Sequence, residues 1–298
     1  MKKTIYILLL NLLSIIVVGQ SNIRINNYLE NLYYINPAAI NDESAAVFSM
    51  TARKQWVGFP GAPSTIYATG TTYLNKLHTQ FGMKVFNDKI GISNTFNVAL
   101  SYAYSVKLQA KWQLHLGLAA SFQNLSYDLS DLSSTSIDDP SFYSKLLKAN
   151  NYNSDLGAQL TNKSLTVGLS SQNLFSLFFD ENKLQTNSNY LYAKYRYRFL
   201  DLIQLQAGVT AIQFNKIYQM EFNLTTFFNT YRQKELFQVG LFYRTRTEMG
   251  VLFGVNLTES LHAWYSFDYN VAGISKNTVG THELMLVYNL ERHLSRNY

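Results

Sequence analysis

The sequence predicts an all-β fold, a transmembrane antiparallel β-barrel of about 14 strands, on three observations. Segments of about ten residues alternate apolar and polar between short turns, as strands do when one face meets lipid and the other a lumen. Charged residues make up only 15% of the 298-residue chain against 47% hydrophobic, whereas a soluble domain carries about 25% charge. Aromatics are abundant, with 22 Tyr and 19 Phe, and a Tyr ring with its polar tip suits a membrane–water boundary.

Residues 1–19 read as a secretory signal peptide. Lys2 and Lys3 precede the apolar run Ile5 to Val18, and Val17, Val18 and Gly19 offer a cleavage zone before Gln20. The run is too short for a spanning helix, which needs about 20 apolar residues. Residues 20–45 form an N-terminal segment, expected in the lumen or on the periplasmic side. The barrel itself is expected over 46–290 and a tail over 291–298.

Within 46–290 the expected strands are 46–56, 64–75, 79–86, 94–107, 110–126, 152–161, 163–175, 188–199, 202–214, 217–228, 234–246, 248–257, 260–271 and 281–290. The clearest runs from Trp112 to Gln123. Trp112, Leu114, Leu116, Leu118, Ala120 and Phe122 share one face, and Gln113, His115, Gly117, Ala119, Ser121 and Gln123 the other. Alternate side chains of a strand point to opposite faces, whereas a helix would mix the two sets. Two connections are long, 127–151 and 177–187, and long loops in such barrels face outward. A soluble β-sandwich would also alternate, but so many aromatic-rich apolar faces with so little charge fit lipid better.

The chemistry of sites is sparse. No Cys is present, which excludes disulfides, thiolate metal sites, a Cys nucleophile and a lipidated Cys anchor. The histidines His78, His115, His262, His282 and His293 lack metal-ligand spacing. His115 or His262 beside a Ser would be needed for a hydrolase, but their place on polar strand faces reads more simply as lumen hydrogen bonding. Asp128, Asp131, Asp138 and Asp139 make an acidic loop without the ordered ligands of a calcium loop. No phosphate-binding or dinucleotide glycine motif occurs. Catalytic, metal and cofactor-binding residues are therefore expected to be absent. The formal charge of +6 falls to +4 without Lys2 and Lys3, and no basic run suggests nucleic acid.

The charges on polar strand faces are more informative. Lys194, Arg196 and Arg198 share one face of one strand, and Arg244, Glu221 and Asp268 also read as inward. Charge facing lipid is costly, so these side chains should turn to the lumen. There they either shape an anion-favouring pore or pair with carboxylates into a network that fills the barrel, and the second arrangement is preferred.

A series of short motifs gives a sharper indication. Asn36-Pro37-Ala38 is followed by Arg53-Lys54-Gln55-Trp56, by Phe59-Pro60-Gly61-Ala62-Pro63-Ser64-Thr65, by Asn87-Asp88-Lys89-Ile90-Gly91 and, near the end, by His282-Glu283. In order and spacing these resemble the PorP/SprF family of the type IX secretion system. Ala39, Ile40 and Asn41 stand where the family commonly has a Gly after N-P-A, and Ile92 where a Pro often follows Gly91. The resemblance implies an outer-membrane protein that catalyses nothing and serves the secretion or surface attachment of cell-surface proteins, such as a gliding adhesin. Its implied partners are type IX machinery proteins and secreted cargo, in contact with outer-membrane lipid and no nucleic acid. By themselves the motif residues read as architecture: Gly58, Pro60, Gly61 and Pro63 as a rigid turn, Arg53 as a stacking or ion-pairing side chain and Trp56 as an interface anchor. A diffusion channel or hydrophobic-solute transporter of the same architecture is the alternative.

Overall fold

The computed structural model describes residues 24–127, 148–179, 186–214, 217–231, 234–271 and 278–291. Its strands are β1 (Ala46–Lys54), β2 (Ser64–Leu74), β3 (Thr79–Ile90), β4 (Ser93–Lys107), β5 (Gln113–Tyr127), β6 (Lys148–Thr161), β7 (Leu165–Gln172), β8 (Ser188–Leu200), β9 (Ile203–Phe214), β10 (Ile217–Asn229), β11 (Glu235–Arg244), β12 (Glu248–Asn256), β13 (Leu261–Asn270) and β14 (Thr281–Leu290). Each pairs antiparallel with its neighbours in sequence. β14 returns to β1, from Ala46 opposite Leu290 to Lys54 opposite His282, and closes a 14-stranded barrel. Closure leaves no sheet edge, which lipid requires because it offers unpaired N–H and C=O groups no partner.

The alternation has the expected consequence. On β4 and β5, Leu100, Leu116 and Leu118 are exposed on the outer wall, while Ala99, His115 and Ala119 are buried in the lumen. On β13, Tyr265 and Tyr269 face out, and Trp264, Ser266 and Asp268 face in.

Strand ends depart from expectation where backbone conformation intervenes. β1 stops at Lys54 because Trp56 takes a left-handed φ of 49°. β7 stops at Gln172, since Asn173 at φ 59° turns the chain into a 3-10 turn at Leu174–Leu177. β5 begins only at Gln113, after a 3-10 turn at Gln109–Lys111. β3 runs on through the polar Asn87 and Asp88 to Ile90, four residues beyond its apolar stretch.

The two ends of the barrel differ. One carries the turns 75–78, 108–112, 162–164, 201–202, 230–234 and 257–260, together with the entry to β1 and the exit from β14. The other carries the longer connections 55–63, 128–147, 173–187 and 271–280, together with the short ones 91–92, 215–216 and 245–247. Short turns mark the periplasmic end and longer loops the outer end. The acidic residues Asp128, Asp131, Asp138 and Asp139, the segment 1–23 and the tail 292–298 lie outside the described residues.

The core is the lumen. Residues 24–45 run inside it and include a 3-10 turn at Leu32–Tyr34. Ile25, Tyr28, Leu29, Leu32, Tyr33, Tyr34 and Ile35 pack there against wall residues including Tyr67, Tyr192, Trp264 and Met285.

Candidate functional site

The N-terminal segment acts as a plug, held at its two ends by different chemistry. At the outer end, the backbone N–H of Asn26 donates to both oxygens of Glu283, at 3.0 and 2.8 Å, and Asn27 adds its own N–H and its Nδ2. Asn26 Nδ2 donates to Asp268 Oδ2 at 2.7 Å and to Ser266 Oγ at 3.1 Å. Arg53 joins these acids from β1, with Nη1 3.2 Å from Glu283 Oε2 and Nη2 3.2 Å from Asp268 Oδ2. Arg244 lies between Glu221, at 2.7 Å, and Glu248, and its Nη2 donates to Asn26 Oδ1 at 3.3 Å. Arg24 Nη1 stands 3.9 Å from Glu248 Oε1. Burial and the neighbouring Arg244 press the Arg24 pKa below its usual value. Three guanidinium groups thus meet four carboxylates, all buried except Arg24, which keeps partial exposure. Each charge needs its partners there, since removing one partner strands a buried charge at a cost of about 3–5 kcal/mol.

Toward the periplasmic end, the plug is held by shape. Asn36 is fully buried. Its Oδ1 accepts the Ala38 N–H at 2.8 Å, an Asx-type turn, and its Nδ2 donates to Ala158 O at 3.1 Å and Tyr192 Oη at 2.9 Å. Pro37 lies against the wall where Gly117 and Gly157 carry no side chain. A Cβ on Gly117 would come within 2.5 Å of the Pro37 carbonyl carbon, and one on Gly157 would overlap Asn36 Oδ1. Midway, Tyr34 Oη shares hydrogen bonds with Ser49 Oγ at 2.8 Å and Thr51 Oγ1 at 2.6 Å. Burial pushes the Tyr34 phenol up to about 12, so it stays protonated at neutral pH. Tyr33 lies against Lys84, whose Nζ is 3.1 Å from Asp155 Oδ2 and 5.7 Å from the Tyr33 ring centroid.

The remaining motif residues cluster at the outer rim. Thr65 Oγ1 donates to Asp88 Oδ1 at 2.5 Å. Gln55 N–H donates to Pro63 O, closing the first hairpin turn, and Gly91 N–H donates to Gly61 O at 2.9 Å, docking that turn on the next. Gly61 and Gly91 both take positive φ, 72° and 56°, which suits glycine. Trp56 is half-buried beside them, its backbone N–H donating to Thr281 Oγ1 at 3.4 Å. Asn87 faces the outer wall, half-buried.

The basic row on β8 divides along its length. Lys194 Nζ donates to the plug carbonyl of Leu29 at 2.9 Å. Arg196 pairs with Glu235 at 2.6 Å and stacks on Phe227, 3.8 Å from the ring centroid. Arg198 is exposed at the periplasmic rim. Cavities remain around the plug, among them one of about 260 Å³ toward the outer end, reached by Tyr67, Lys84 and Asp88, and one of about 730 Å³ toward the periplasm, reached by Glu30, His115, Lys194 and Arg196. Among the described residues no group of three or more His, Cys, Asp or Glu stands close enough to hold a metal.

The pairing of Asn26 and Asn27 with Glu283, the Lys84–Asp155 pair and the glycine cradle had no local signal in sequence. Lys84, Asp155 and Glu248 could have been found by inward parity, but not their partners.

A closed, outward-apolar barrel with its own N-terminal segment through the lumen defines an outer-membrane β-barrel protein. The chain belongs to the PorP/SprF family of type IX secretion system membrane proteins, whose family model matches residues 17–288. It is a protein of the outer membrane. In fold it is similar to the CymD monoaromatic hydrocarbon channel, at 11% identity over 87% of this chain and 92% of that one with a TM-score of 0.53. It is likewise similar to the toluene transporter TbuX of Ralstonia pickettii, at 10% identity over 87% and 93% with a TM-score of 0.50. No curated protein sequence matches the chain.

Proposed function

We propose that this barrel is a non-enzymatic, non-conducting component of the type IX system, needed for secretion or surface attachment of cell-surface proteins through protein–protein contacts. The observation that carries the reading is the plug. Family-motif residues far apart in sequence, Asn36, Arg53 and Glu283, all serve to hold or surround residues 24–39 in the lumen. A barrel stoppered by its own chain is a rigid wall with loops and a rim to offer partners. Two of the three basic side chains that would tune a pore, Lys194 and Arg196, are instead tied to the plug and to Glu235. Machine subunits and an exported adhesin are the partners this reading assigns, and the motif residues are assigned a supporting role behind the contact surfaces.

The test compares surface and medium proteins between the wild type and a strain lacking the gene. Loss of one adhesin makes the barrel a dedicated accessory, and loss of many secreted proteins makes it part of the general machine. Unchanged secretion overturns the reading. The channel alternative draws on the 730 Å³ periplasmic cavity and on the fold shared with a hydrocarbon channel and a toluene transporter. It requires displacement of the plug and measurable solute uptake.

A further inference from the structure

We infer that the outer wall at the β13–β14–β1–β2 seam carries a binding site for a phosphate-bearing lipid of the outer leaflet. Ala52 is the small outward residue of a strand whose other outward neighbours are Phe48, Met50 and Lys54. It lies opposite Ile66 on β2 and Leu284 on β14, and Leu284 in turn lies opposite Tyr265. Ile66, Leu284 and Tyr265 all project outward. The short Ala52 side chain therefore leaves a groove between larger neighbours, about 330 Å³ in volume. Its walls are mostly apolar, Ala52, Ile66, Leu284 and Tyr265, which suits a lipid acyl chain.

The head of the groove is polar and basic. Lys54, exposed, stands one outward position above Ala52, opposite His282 on one side and Ser64 on the other. His282 Nδ1 is 2.6 Å from Tyr265 Oη, and its ring lies between Tyr265 and Phe267, at 6.1 and 5.2 Å between centroids. With Tyr265 donating to Nδ1, the ring proton is held on Nε2 as a donor. Among the described residues no carboxylate pairs with Lys54 or His282, whereas the next residues, Arg53 and Glu283, pair with each other inside the lumen. An ammonium and an imidazole N–H, the latter set by Tyr265, above an apolar groove match a phosphate headgroup above an acyl chain. Lys54 and His282 lie at the outer end of their strands, the level of outer-leaflet headgroups.

The test incubates the full-length barrel with lipid A, with dephosphorylated lipid A and with inorganic phosphate, and reads bound mass by native mass spectrometry. Wild type should retain lipid A, and Lys54→Gln combined with His282→Gln should lower retention about tenfold, through loss of two headgroup contacts. Ala52→Leu, which fills the groove without touching charge, should lower it as well. Dephosphorylated lipid should bind wild type no better than lipid A binds the double variant. Heat-modified gel mobility confirms that each variant is folded. Equal retention by folded variants overturns the site. Displacement of lipid A by inorganic phosphate, with Ala52→Leu unaffected, also overturns it by assigning a free-phosphate site.

Discussion

The Arg53 guanidinium lies 3.2 Å from the Glu283 carboxylate, across 230 residues of sequence and both buried in the lumen. β1 and β14 meet at the seam that closes the barrel, and these residues occupy the same rung of it. Glu283 also receives the N–H groups of Asn26 and Asn27. One carboxylate thus joins the first strand, the last strand and the plug.

Replacing Glu283 with Ala should therefore destabilise more than a wall contact would. Arg53 keeps only Asp268, and the two Asn N–H groups lose their acceptor. The expected cost is about 3–5 kcal/mol, read as a lowered urea midpoint for loss of the folded gel band. A change under about 1 kcal/mol, the range of an exposed pair, would contradict the buried role.

Gly157→Ala should unseat the plug rather than the wall. The added methyl overlaps Asn36 Oδ1, while the β5–β6 register can persist because alanine is tolerated in strands. Planar-bilayer recordings should show conductance in this variant and none in wild type.

Substituting Lys194, Arg196 and Arg198 together with Ala should leave bilayer conductance unchanged. The variant should lose about 1–3 kcal/mol of stability, because the Leu29 carbonyl and Glu235 lose charged partners. A shift in ion selectivity with unchanged stability would instead support a pore.

Tyr34 gives the plug an alkaline limit. Its folded pKa is raised from 10 to about 12 by burial, so its contribution is complete below pH 10 and lost as pH rises through 12. Plug release followed by conductance should show no loss below pH 10, and Tyr34→Phe should weaken plug retention already at neutral pH by removing the bonds to Ser49 and Thr51.

The barrel was legible because lipid and lumen impose a two-residue rhythm on every strand, as from Trp112 to Gln123. That rhythm fails where a strand leaves the apolar zone, so β3 was expected to end at 86, although Asn87 and Asp88 continue its ladder. Parity also indicated which way Glu221, Arg244 and Asp268 point, but not what they meet. Their partners come from other strands and from Asn26, and such contacts leave no local periodicity. The glycines at 117 and 157 looked like ordinary small residues of a polar face. Their meaning lies in Pro37 and Asn36, which come from the far side of the lumen.

The path of residues 24–45 also bears on assembly. Tyr28 bonds β9, Tyr33 bonds β4, Tyr34 bonds β1 and Asn36 reaches β6 and β8. Bulky side chains anchored in so many directions are poorly suited to being threaded through a finished cylinder. The wall is better wound around them, as staves are raised around a mandrel. Zipping the last strand to the first and seating the stopper then become a single event, with Glu283 as its latch.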